Sequence, residues 1–336
     1  MKAFVVRNPA SLESLELREQ PEPNEPGLGE IRVRLHASSL NYHDYSVVTG
    51  AIPTQDGRIP MSDGAGVVDA VGPDVQDFVP GDRVVSTFFP NWLAGPPPIG
   101  DFSTTPGDGI DGYAREWVVC PERYFTHAPA GYTHEEAASL TTAGLTAWRA
   151  LMVDGPLKPG ATVLTLGTGG VSIFAVQLAK MMGARVISTS SSDAKLARLS
   201  ELGADEVINY RREPEWGKRV MEMTNGRGAD HIIEVGGPGT LPQSIQAVAI
   251  GGHIALIGVL TGVAGEVPTA RLMTRQARLQ GLIVGSRTEQ QAFVRALEVN
   301  GVRPIIDQTF ELEAIADAFR HEASGQHFGK IGLSIA

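Results

Sequence analysis

Two patterns of apolar and polar positions divide the chain near residue 128. Up to about His127, short apolar runs alternate with turns rich in proline and glycine, which predicts a β-rich unit. The predicted strands are residues 2–7, 31–38, 66–71, 82–87 and 113–119. Residues 91–111 are rich in glycine and proline and follow no period, so they predict a long loop. Loops of that length in compact domains are usually functional or disordered.

From about Ala128 onward the chain alternates between strand and helix patterns. The predicted strands are residues 162–166, 185–189, 206–209, 231–235, 253–259 and 279–284, and the predicted helices are residues 134–151, 173–182, 194–202, 214–224 and 241–248. Such alternation is typical of a parallel sheet with right-handed crossovers. Because the strand segments are nearly all apolar, both faces of the sheet should be covered. The sequence therefore predicts an α/β fold with a doubly wound parallel sheet of six strands.

The last fifty residues do not extend this parallel series. They predict a helix at 289–299, an extended stretch at 303–310, a helix at 313–322 and a closing strand at 330–335. We expect this tail to return to the N-terminal unit, so that the parallel domain is an insertion. The predicted domains are residues 1–127, residues 128–286 and the returning segment 287–336.

Composition narrows the function classes. With 336 residues, 42% apolar and 20% charged, the chain fits a globular protein of two domains. A net charge of −10 argues against a nucleic-acid partner. Cys120 is the only cysteine, so an intrachain disulfide is impossible. We find no targeting pattern at the N-terminus and no apolar run near the ~20 residues of a membrane helix, and we expect a cytoplasmic protein without a membrane partner.

A glycine-rich turn marks a candidate dinucleotide site. The turn joins the predicted strand 162–166 to the following helix and consists of Gly167, Thr168, Gly169, Gly170 and Val171. Glycines in this context permit a tight turn and let backbone N–H groups approach a pyrophosphate. The helix N-terminus adds a partial positive charge. A glycine-rich corner alone is weak support, because many strand–helix turns need glycine.

The end of the second strand of this domain indicates which nicotinamide cofactor binds. In NAD-binding domains a carboxylate about 20 residues after the glycine turn holds the ribose 2′-hydroxyl. Here that place falls on Ser190, and Lys195 follows shortly after. A carboxylate about 4 Å from a 2′-phosphate would cost on the order of 4 kcal/mol at an effective dielectric of 20. NADP(H) is therefore the predicted cofactor. Two alternatives stay open: residues 191–193 simply cap the next helix, or Asp193 turns to the ribose and permits dual specificity.

Motifs spread over nearly the whole chain resemble the medium-chain dehydrogenase/reductase superfamily, and specifically its zinc-free branch, which includes quinone oxidoreductases. The motifs are Ser39-Leu-Asn-Tyr-His-Asp44, Asp63-Gly-Ala-Gly-Val-Val68, Val79-Pro-Gly-Asp-Arg-Val84, Gly112-Tyr-Ala-Arg-Glu-Trp117, Ala143-Gly-Leu-Thr-Ala147, the glycine turn, Leu202-Gly-Ala-Asp-Glu-Val-Ile-Asn-Tyr210 and Gly329-Lys330. The resemblance implies a Rossmann domain that binds NADP and is inserted in a β-rich, GroES-like catalytic domain. It also implies homodimers joined through the edge of the cofactor sheet.

The departures from the family pattern concern metal binding. By local motif, the three catalytic zinc ligands of zinc-dependent relatives fall on Asn41, Ser62 and Thr142, and their neighbouring acidic residue falls on Asp63. An amide and two hydroxyls cannot replace the thiolates and imidazole that bind Zn²⁺. The cysteine-rich lobe of a structural zinc is also absent. We therefore expect no zinc and no other bound metal.

The resemblance also implies residues that contact the cofactor. Near the nicotinamide and its carboxamide it places Thr142, Thr146, Val171, Gly258, Val259, Leu260, Val284 and Ser286. Family members that prefer NADPH carry a serine, a lysine and a tyrosine that match Ser190, Lys195 and Tyr210. Arg211 and Arg212 could add positive charge there.

Without a metal, a carbonyl oxygen that gains charge during hydride delivery needs hydrogen-bond donors or a proton. The candidate catalytic residues are Asn41, which donates through its amide, and His43 and Tyr45, which can also supply a proton. The usual pKa of histidine, near 6.5, suits proton exchange at neutral pH. A histidine in a turn is, however, more often structural, and quinone reductases usually carry their tyrosine one position later.

The predicted substrate pocket consists of Ser62, Asp63, Phe88 and Trp92. Packing beneath the long loop is an equally good explanation for the two aromatic residues.

Three functions are compatible with these features. The first is a zinc-independent, NADPH-dependent oxidoreductase of the alcohol dehydrogenase or quinone reductase type, acting on a small quinone, aldehyde, ketone or alcohol. The second is the reduction of a C=C bond conjugated to a carbonyl, which needs the same donors. The third is a protein that binds NADPH without catalysis.

Overall fold

The computed structural model describes residues 1–98 and 100–335, so Ile99 in the predicted loop and Ala336 at the end of the predicted tail lie outside the described residues. The chain forms two compact units. Unit 1 comprises Met1–Leu145 and the segment that begins at Val284, and unit 2 is Thr146–Ile283. The units thus divide at 145/146 and 283/284, whereas the sequence predicts boundaries at 127/128 and 286/287.

Most of the predicted strands and helices are present, but the strands Leu15–Glu19 and Phe125–His127 and the helices Tyr42–Val48 and Thr269–Thr274 have no counterpart in the predictions. In chain order, the strands are β1 (Lys2–Val6), β2 (Leu15–Glu19), β3 (Glu30–Ser39), β4 (Ala65–Val71), β5 (Arg83–Ser86), β6 (Trp117–Pro121), β7 (Phe125–His127), β8 (Thr162–Leu166), β9 (Arg185–Ser190), β10 (Glu206–Asn209), β11 (Ala229–Glu234), β12 (Val248–Leu256), β13 (Arg278–Gly281), β14 (Ile306–Glu311) and β15 (Lys330–Ser334). The α-helices are α1 (Tyr42–Val48), α2 (His134–Ala138), α3 (Leu145–Trp148), α4 (Gly170–Met181), α5 (Asp193–Glu201), α6 (Trp216–Met223), α7 (Leu241–Ala247), α8 (Thr269–Thr274), α9 (Arg287–Asn300) and α10 (Ile315–Ala323).

Unit 1 is built on a sheet in the order β14-β15-β3-β4-β5-β7, with β6 also paired to β3. Strand β15, from the tail, runs antiparallel to β3, and Gly332 lies opposite Ser39. The tail thus completes the sheet of the N-terminal unit, and four of the five residues of its closing strand are buried there. The hydrophobic core of unit 1 contains residues from both chain segments, including Ile31, Leu35 and Phe319.

In the described residues, unit 2 holds one parallel sheet of six strands in the order β10-β9-β8-β11-β12-β13. This order confirms the predicted doubly wound α/β fold. Strand β8 is buried along its whole length, as a strand covered on both faces must be. The strand order reverses between β8 and β11, and in such sheets ligands bind beyond the carboxyl ends of the strands at this point.

The predicted single helix over residues 134–151 is wrong in detail. After α2, the backbone forms a π-helical turn at Leu140–Gly144, then α3, then a second π turn at Arg149–Val153. The N–H of Gly144 donates to the carbonyl of Ser139, five residues earlier, at 3.4 Å. The extra residue in such a turn re-aims the side chains that follow, and π turns are frequent at functional sites.

None of the helices in the described part of the chain combines the length and the apolar character that a bilayer crossing requires.

Candidate functional site

The first group of predicted residues meets at the N-terminus of α1 in unit 1. Asn41 precedes the helix, and both its backbone N–H and its side-chain Nδ2 donate to Asp44 Oδ2, at 3.1 and 3.0 Å. The backbone N–H of Ser62 donates to the other oxygen, Asp44 Oδ1, at 2.9 Å. Asp44 is buried, and a carboxylate in the first turn of a helix is favoured by the helix dipole. Asp44 therefore joins Asn41 to Ser62, a role that the sequence analysis missed.

A buried lysine from the tail completes this network. Lys330 is only 3% exposed. Its Nζ donates to Asn41 Oδ1 at 2.6 Å, to Asp63 Oδ2 at 3.4 Å and to the backbone carbonyl of Leu40. An ammonium group has three N–H donors, and here each has an acceptor. The Gly329-Lys330 motif marked this residue in the sequence without indicating any role for it.

Asp63 lies at the centre of the network with no solvent exposure. Its Oδ2 accepts from Ser39 Oγ at 2.5 Å, and its Oδ1 accepts from Thr142 Oγ1 at 2.6 Å. Burial raises the pKa of Asp63, and the positive charge of Lys330 opposes that rise. Ser62 and Asp63 are both fully buried, so their predicted place in the substrate pocket stays a prediction. Thr142, predicted at the cofactor, bonds to this carboxylate.

His43, the second residue of α1, lies between two carboxylates. Its Nε2 is 3.2 Å from Asp108 Oδ2, and its Nδ1 is 3.9 Å from Asp44 Oδ1. Burial by itself would lower the pKa of His43, but the contacts with Asp108 and Asp44 outweigh it and raise the pKa to about 9. The imidazole is therefore charged at neutral pH rather than half-titrated, as its usual pKa suggested. Asp108 belongs to the long loop and had no assigned role.

Tyr45 lies in a different environment from His43. Its ring packs against the apolar core of unit 1 and lies 6.3 Å from the ring of Phe319. The predicted catalytic role of Tyr45 stays a prediction, and its surroundings favour a packing role.

Phe88 and Trp92 belong to a cluster of aromatic rings under the loop. Phe88 packs edge to face on Phe89 at 4.8 Å, and Phe89 lies 6.2 Å from Trp92. The ring of His43 lies 5.5 Å from Phe88 and 5.0 Å from Phe102. Because Phe88 and Trp92 are almost fully buried, the structure favours the packing alternative, and their place in the substrate pocket stays a prediction. The cluster also holds the imidazole of His43 in place.

The residues at the three family zinc positions do not fit a zinc ion. The one acceptor atom of the Asn41 side chain already receives a hydrogen bond from Lys330, and the Thr142 hydroxyl donates to Asp63. In the described residues, no group of three or more histidine, cysteine, aspartate or glutamate side chains is arranged to hold a metal ion. Zinc in proteins prefers thiolate, imidazole and carboxylate ligands, so an amide and two hydroxyls beside an ammonium are a poor set.

In unit 2, the glycine turn has the predicted geometry. Gly167 follows β8 with φ of +74°, a conformation that favours glycine, and its N–H donates to the carbonyl of Thr189 at 2.9 Å. Helix α4 begins at Gly170, and its N-cap residue, Gly169, has no side chain to cap the first N–H groups. Those N–H groups are therefore available to an anion. Thr168 and Val171 lie in the same turn.

Ser190 is the last residue of β9 and is buried. Its carbonyl accepts from the N–H of Tyr210, at 3.2 Å, so the ends of β9 and β10 bring these two residues together. Lys195 lies in the first turn of α5, where its N–H donates to Ser192 Oγ at 3.4 Å. Ser192 thus caps α5. This agrees with the alternative that residues 191–193 cap the next helix.

Asp193 is the carboxylate that the sequence offers as an alternative partner for the cofactor ribose, and it is hydrogen-bonded to neighbouring side chains. Asp193 Oδ1 accepts from Asn209 Nδ2 at 2.8 Å, and its Oδ2 accepts from the guanidinium of Arg212. These bonds direct Asp193 toward Asn209 and Arg212, in an ion pair whose two side chains are both more than half exposed. Arg212 therefore pairs with Asp193 rather than adding free positive charge.

The remaining predicted cofactor residues are divided between the units. Thr146, Gly258, Val259 and Leu260 belong to unit 2, and Val284 and Ser286 belong to unit 1. Val259 and Leu260 are exposed beyond the carboxyl end of β12. Val284 has φ of +47°, which is strained for a β-branched residue. Ser286 caps α9 by accepting from the N–H of Glu289 at 3.3 Å.

Two family models match the chain: the alcohol dehydrogenase GroES-like domain at residues 27–130, and the zinc-binding dehydrogenase family at residues 170–299. The chain is 40% identical to a zinc-type alcohol dehydrogenase-like protein of Schizosaccharomyces pombe, over 99% of both chains. It is 31% identical to the chloroplastic quinone-oxidoreductase QR1 of Triphysaria versicolor, over 93% of this chain and 92% of that one. A solved structure described as an NAD-dependent alcohol dehydrogenase matches 100% of both chains with a TM-score of 0.90 and 36% identity.

Proposed function

Because the chain belongs to the medium-chain dehydrogenase/reductase superfamily, with alcohol dehydrogenases and quinone oxidoreductases among its relatives, we propose that it transfers hydride between NADP(H) and a small carbonyl compound or quinone without a catalytic zinc. The observation that carries the proposal is that Asn41, at one of the three positions where zinc-dependent relatives bind the metal, accepts a hydrogen bond from the buried ammonium of Lys330, which also contacts Asp63. An oxidoreductase with this donor set must stabilise the substrate oxygen with its own side chains.

His43 is the side chain best suited to that task. When bound, the reduced cofactor supplies the hydride, and the protein must supply a proton to the oxygen that gains charge. The charged imidazole of His43 carries this proton at neutral pH. The charged imidazole has a proton on each nitrogen, and we assign the donated one to Nε2, which faces Asp108 Oδ2 at 3.2 Å, because Nδ1 is buried. A substrate oxygen at Nε2 would share the hydrogen with Asp108 or take the place of its carboxylate.

Asn41 acts differently in this proposal from what the sequence suggests. Its Nδ2 hydrogens already have acceptors, Asp44 Oδ2 at 3.0 Å and Ser62 Oγ at 3.4 Å. We therefore propose that Asn41 holds the start of α1, and with it His43, rather than donating to substrate.

The preference for NADPH is supported by the edge of unit 2 around Ser190. The position that would carry the ribose-binding carboxylate is a hydroxyl, and Asp193 is paired with Arg212 and Asn209. A 2′-phosphate placed there would meet the hydroxyl of Ser190 and the positive charge of Lys195. A solved structure similar to this chain is described as NAD-dependent, so the two cofactors are compared directly in the experiment.

The experiment measures oxidation of NADPH and of NADH by the purified protein against a quinone, an aldehyde, a ketone and a conjugated enone. We expect NADPH oxidation with the quinone or a simple carbonyl, unchanged by a chelator. Reduction of the enone C=C bond alone would favour the second function from the sequence, and NADPH binding without oxidation by any acceptor would favour the third. Activity that a chelator abolishes and Zn²⁺ restores would contradict a zinc-free site.

We further propose a homodimer joined through β13. In the described residues, β13 pairs only with β12, so its second edge is free to pair. Val263 and Met273, which precede this strand, are 90% and 71% exposed.

Light scattering should give twice the chain mass of 35.7 kDa, and Met273→Glu should shift the mass toward the monomer. Val299→Glu, at an equally exposed valine of unit 1, is the control and should leave the dimer intact. A monomeric wild type would contradict the proposal.

A further inference from the structure

Lys330 is the side chain of the tail that hydrogen-bonds to Asn41 and Asp63. We propose that Lys330 is a positioning residue of this oxidoreductase, whose ammonium supplies the positive charge that orients Asn41 and balances Asp63, and so holds the start of α1 and His43 in place. This inference rests on the proposed function for its kinetic consequence only, since the contacts themselves belong to the fold of unit 1.

The ammonium of Lys330 and the carboxylate of Asp44 together set the direction of the Asn41 amide. Lysine can only donate, so the atom of Asn41 that faces Nζ at 2.6 Å must be the oxygen. The amide nitrogen is then turned toward Asp44 Oδ2, at 3.0 Å. Asp44 in turn faces His43, with 3.9 Å between Oδ1 and Nδ1. Hydrogen bonds therefore lead from Lys330 through Asn41 to Asp44, and the Asp44 carboxylate acts on the imidazole through its charge, because 3.9 Å is too long for a hydrogen bond.

The ammonium also balances an excess of buried acidic groups. Asp63 and Asp44 are 0% and 1% exposed. Glu322, on α10, is half-buried near the same charges, and desolvation raises its pKa to about 8 although Lys330 opposes the rise. Removing one partner of a buried ion pair leaves a charge without compensation, which is strongly destabilising.

Backbone contacts on both sides of Lys330 fix its position at the start of β15. The N–H of Leu40 donates to the carbonyl of Ile331 at 3.0 Å, which fixes β15 beside the start of the site. Gly329 has φ of +91°, and a Cβ there would lie 2.4 Å from the carbonyl oxygen of Ile305. Only glycine lets the chain enter β15 at this angle, so the position of Lys330 is fixed by the fold.

The test compares Lys330→Met, Lys330→Gln and the double variant Lys330→Met with Asp63→Asn. Lys330→Met should lower the melting temperature by roughly 5 to 15 °C. It should lower kcat at least tenfold, while the Kd for NADPH, measured by fluorescence, changes less than twofold. The double variant should recover most of the melting temperature, because no charge is left unpaired, but not kcat, because Asn41 is still not oriented. Lys330→Gln, whose amide can still donate to Asn41, should keep kcat within about threefold of wild type.

Lys180→Met is the matched control, since Lys180 pairs with Asp205 at 2.8 Å at the surface. It should change neither the melting temperature nor kcat appreciably. Wild-type kcat in Lys330→Met, or recovery of kcat together with stability in the double variant, would overturn the positioning role. A crystal structure of Lys330→Met supplies a readout independent of activity: we expect the Asn41 side chain and the start of α1 to move from their wild-type positions, and unchanged positions would refute the proposal. Failure of the proposed function would instead appear as an inactive wild type.

Discussion

Replacing His43 by glutamine lowers kcat for NADPH-driven reduction by roughly 10²- to 10⁴-fold, the usual contribution of a general acid. Glutamine fills a similar space but cannot give up a proton, so the substrate oxygen loses its proton source. Because His43 belongs to unit 1, the affinity of unit 2 for NADPH should stay within about twofold. Steady-state kinetics and a fluorescence titration of NADPH check both expectations.

The pH profile gives the same prediction a second readout. The contacts with Asp108 and Asp44 raise the pKa of His43 to about 9, so wild-type kcat for reduction should be level at neutral pH. Above about pH 9 it should fall tenfold per pH unit, because the imidazole must be protonated to act. The raised pKa also stabilises the fold below pH 6.5, and that contribution is lost as the pH rises through about 9. The His43→Gln variant should lack the alkaline fall in kcat.

His127→Gln is the control for this variant. The ring of His127 is exposed, and its Nε2 lies 3.1 Å from the backbone carbonyl of Asp77, away from the network at α1. Its kcat and pH profile should match those of wild type. If His43→Gln keeps wild-type kcat, or if the alkaline fall persists in it, another group donates the proton.

Replacing Ser190 by aspartate reverses the cofactor preference. A carboxylate about 4 Å from the 2′-phosphate costs on the order of 4 kcal/mol at an effective dielectric of 20, which lowers the affinity for NADPH by two to three orders of magnitude. The same carboxylate can accept from the 2′-hydroxyl of NADH, so the affinity for NADH should rise. The ratio of kcat/KM for the two cofactors measures the change.

Ser200→Asp provides the comparison for added charge. Ser200 is an exposed residue of α5 in the same unit, so the variant carries the same extra negative charge away from the end of β9. Its cofactor preference should equal that of wild type. An unchanged preference in Ser190→Asp, with a normal melting temperature, would mean that the phosphate binds elsewhere.

Local patterns predict the parallel sheet of unit 2 well, because each strand is a short apolar run bounded by turns. Local patterns fail where a strand continues through adjacent glycines, which are typical of a turn. The sequence predicts a strand from residue 253, whereas β12 begins at Val248 and passes through Gly251 and Gly252. The pairing of β12 with β11 shifts register between Ala229 and His231, and such irregularities have no local signal.

The helix predicted at 134–151 fails for a different reason. Its apolar spacing is helical, yet Thr141 Oγ1 donates to the carbonyl of Ser86 at 2.9 Å, and Thr142 bonds to Asp63. These partners lie more than fifty residues away in the sequence. The spacing of apolar residues predicts a regular helix here. It carries no information about these distant hydrogen bonds or about the π turns that accompany them.

Residue types and local spacing are enough to establish the chemistry that this chain has available. They show a glycine turn between strand and helix, a hydroxyl at Ser190 where a carboxylate would select NAD, and an amide at Asn41 where a thiolate would bind zinc. These features depend on neighbouring residues or on the side chain itself, so they are visible without a fold.

Long-range contacts alone establish how that chemistry is arranged. Lys330 meets Asn41 across 289 residues, and Asp108 meets His43 across 65. The first contact, together with Asp44, sets which way the Asn41 amide faces, and the second helps to raise the pKa of His43 to about 9. Both depend on burial and on charges brought together by folding, and electrostatic interactions strengthen when water is excluded. No local pattern contains that information.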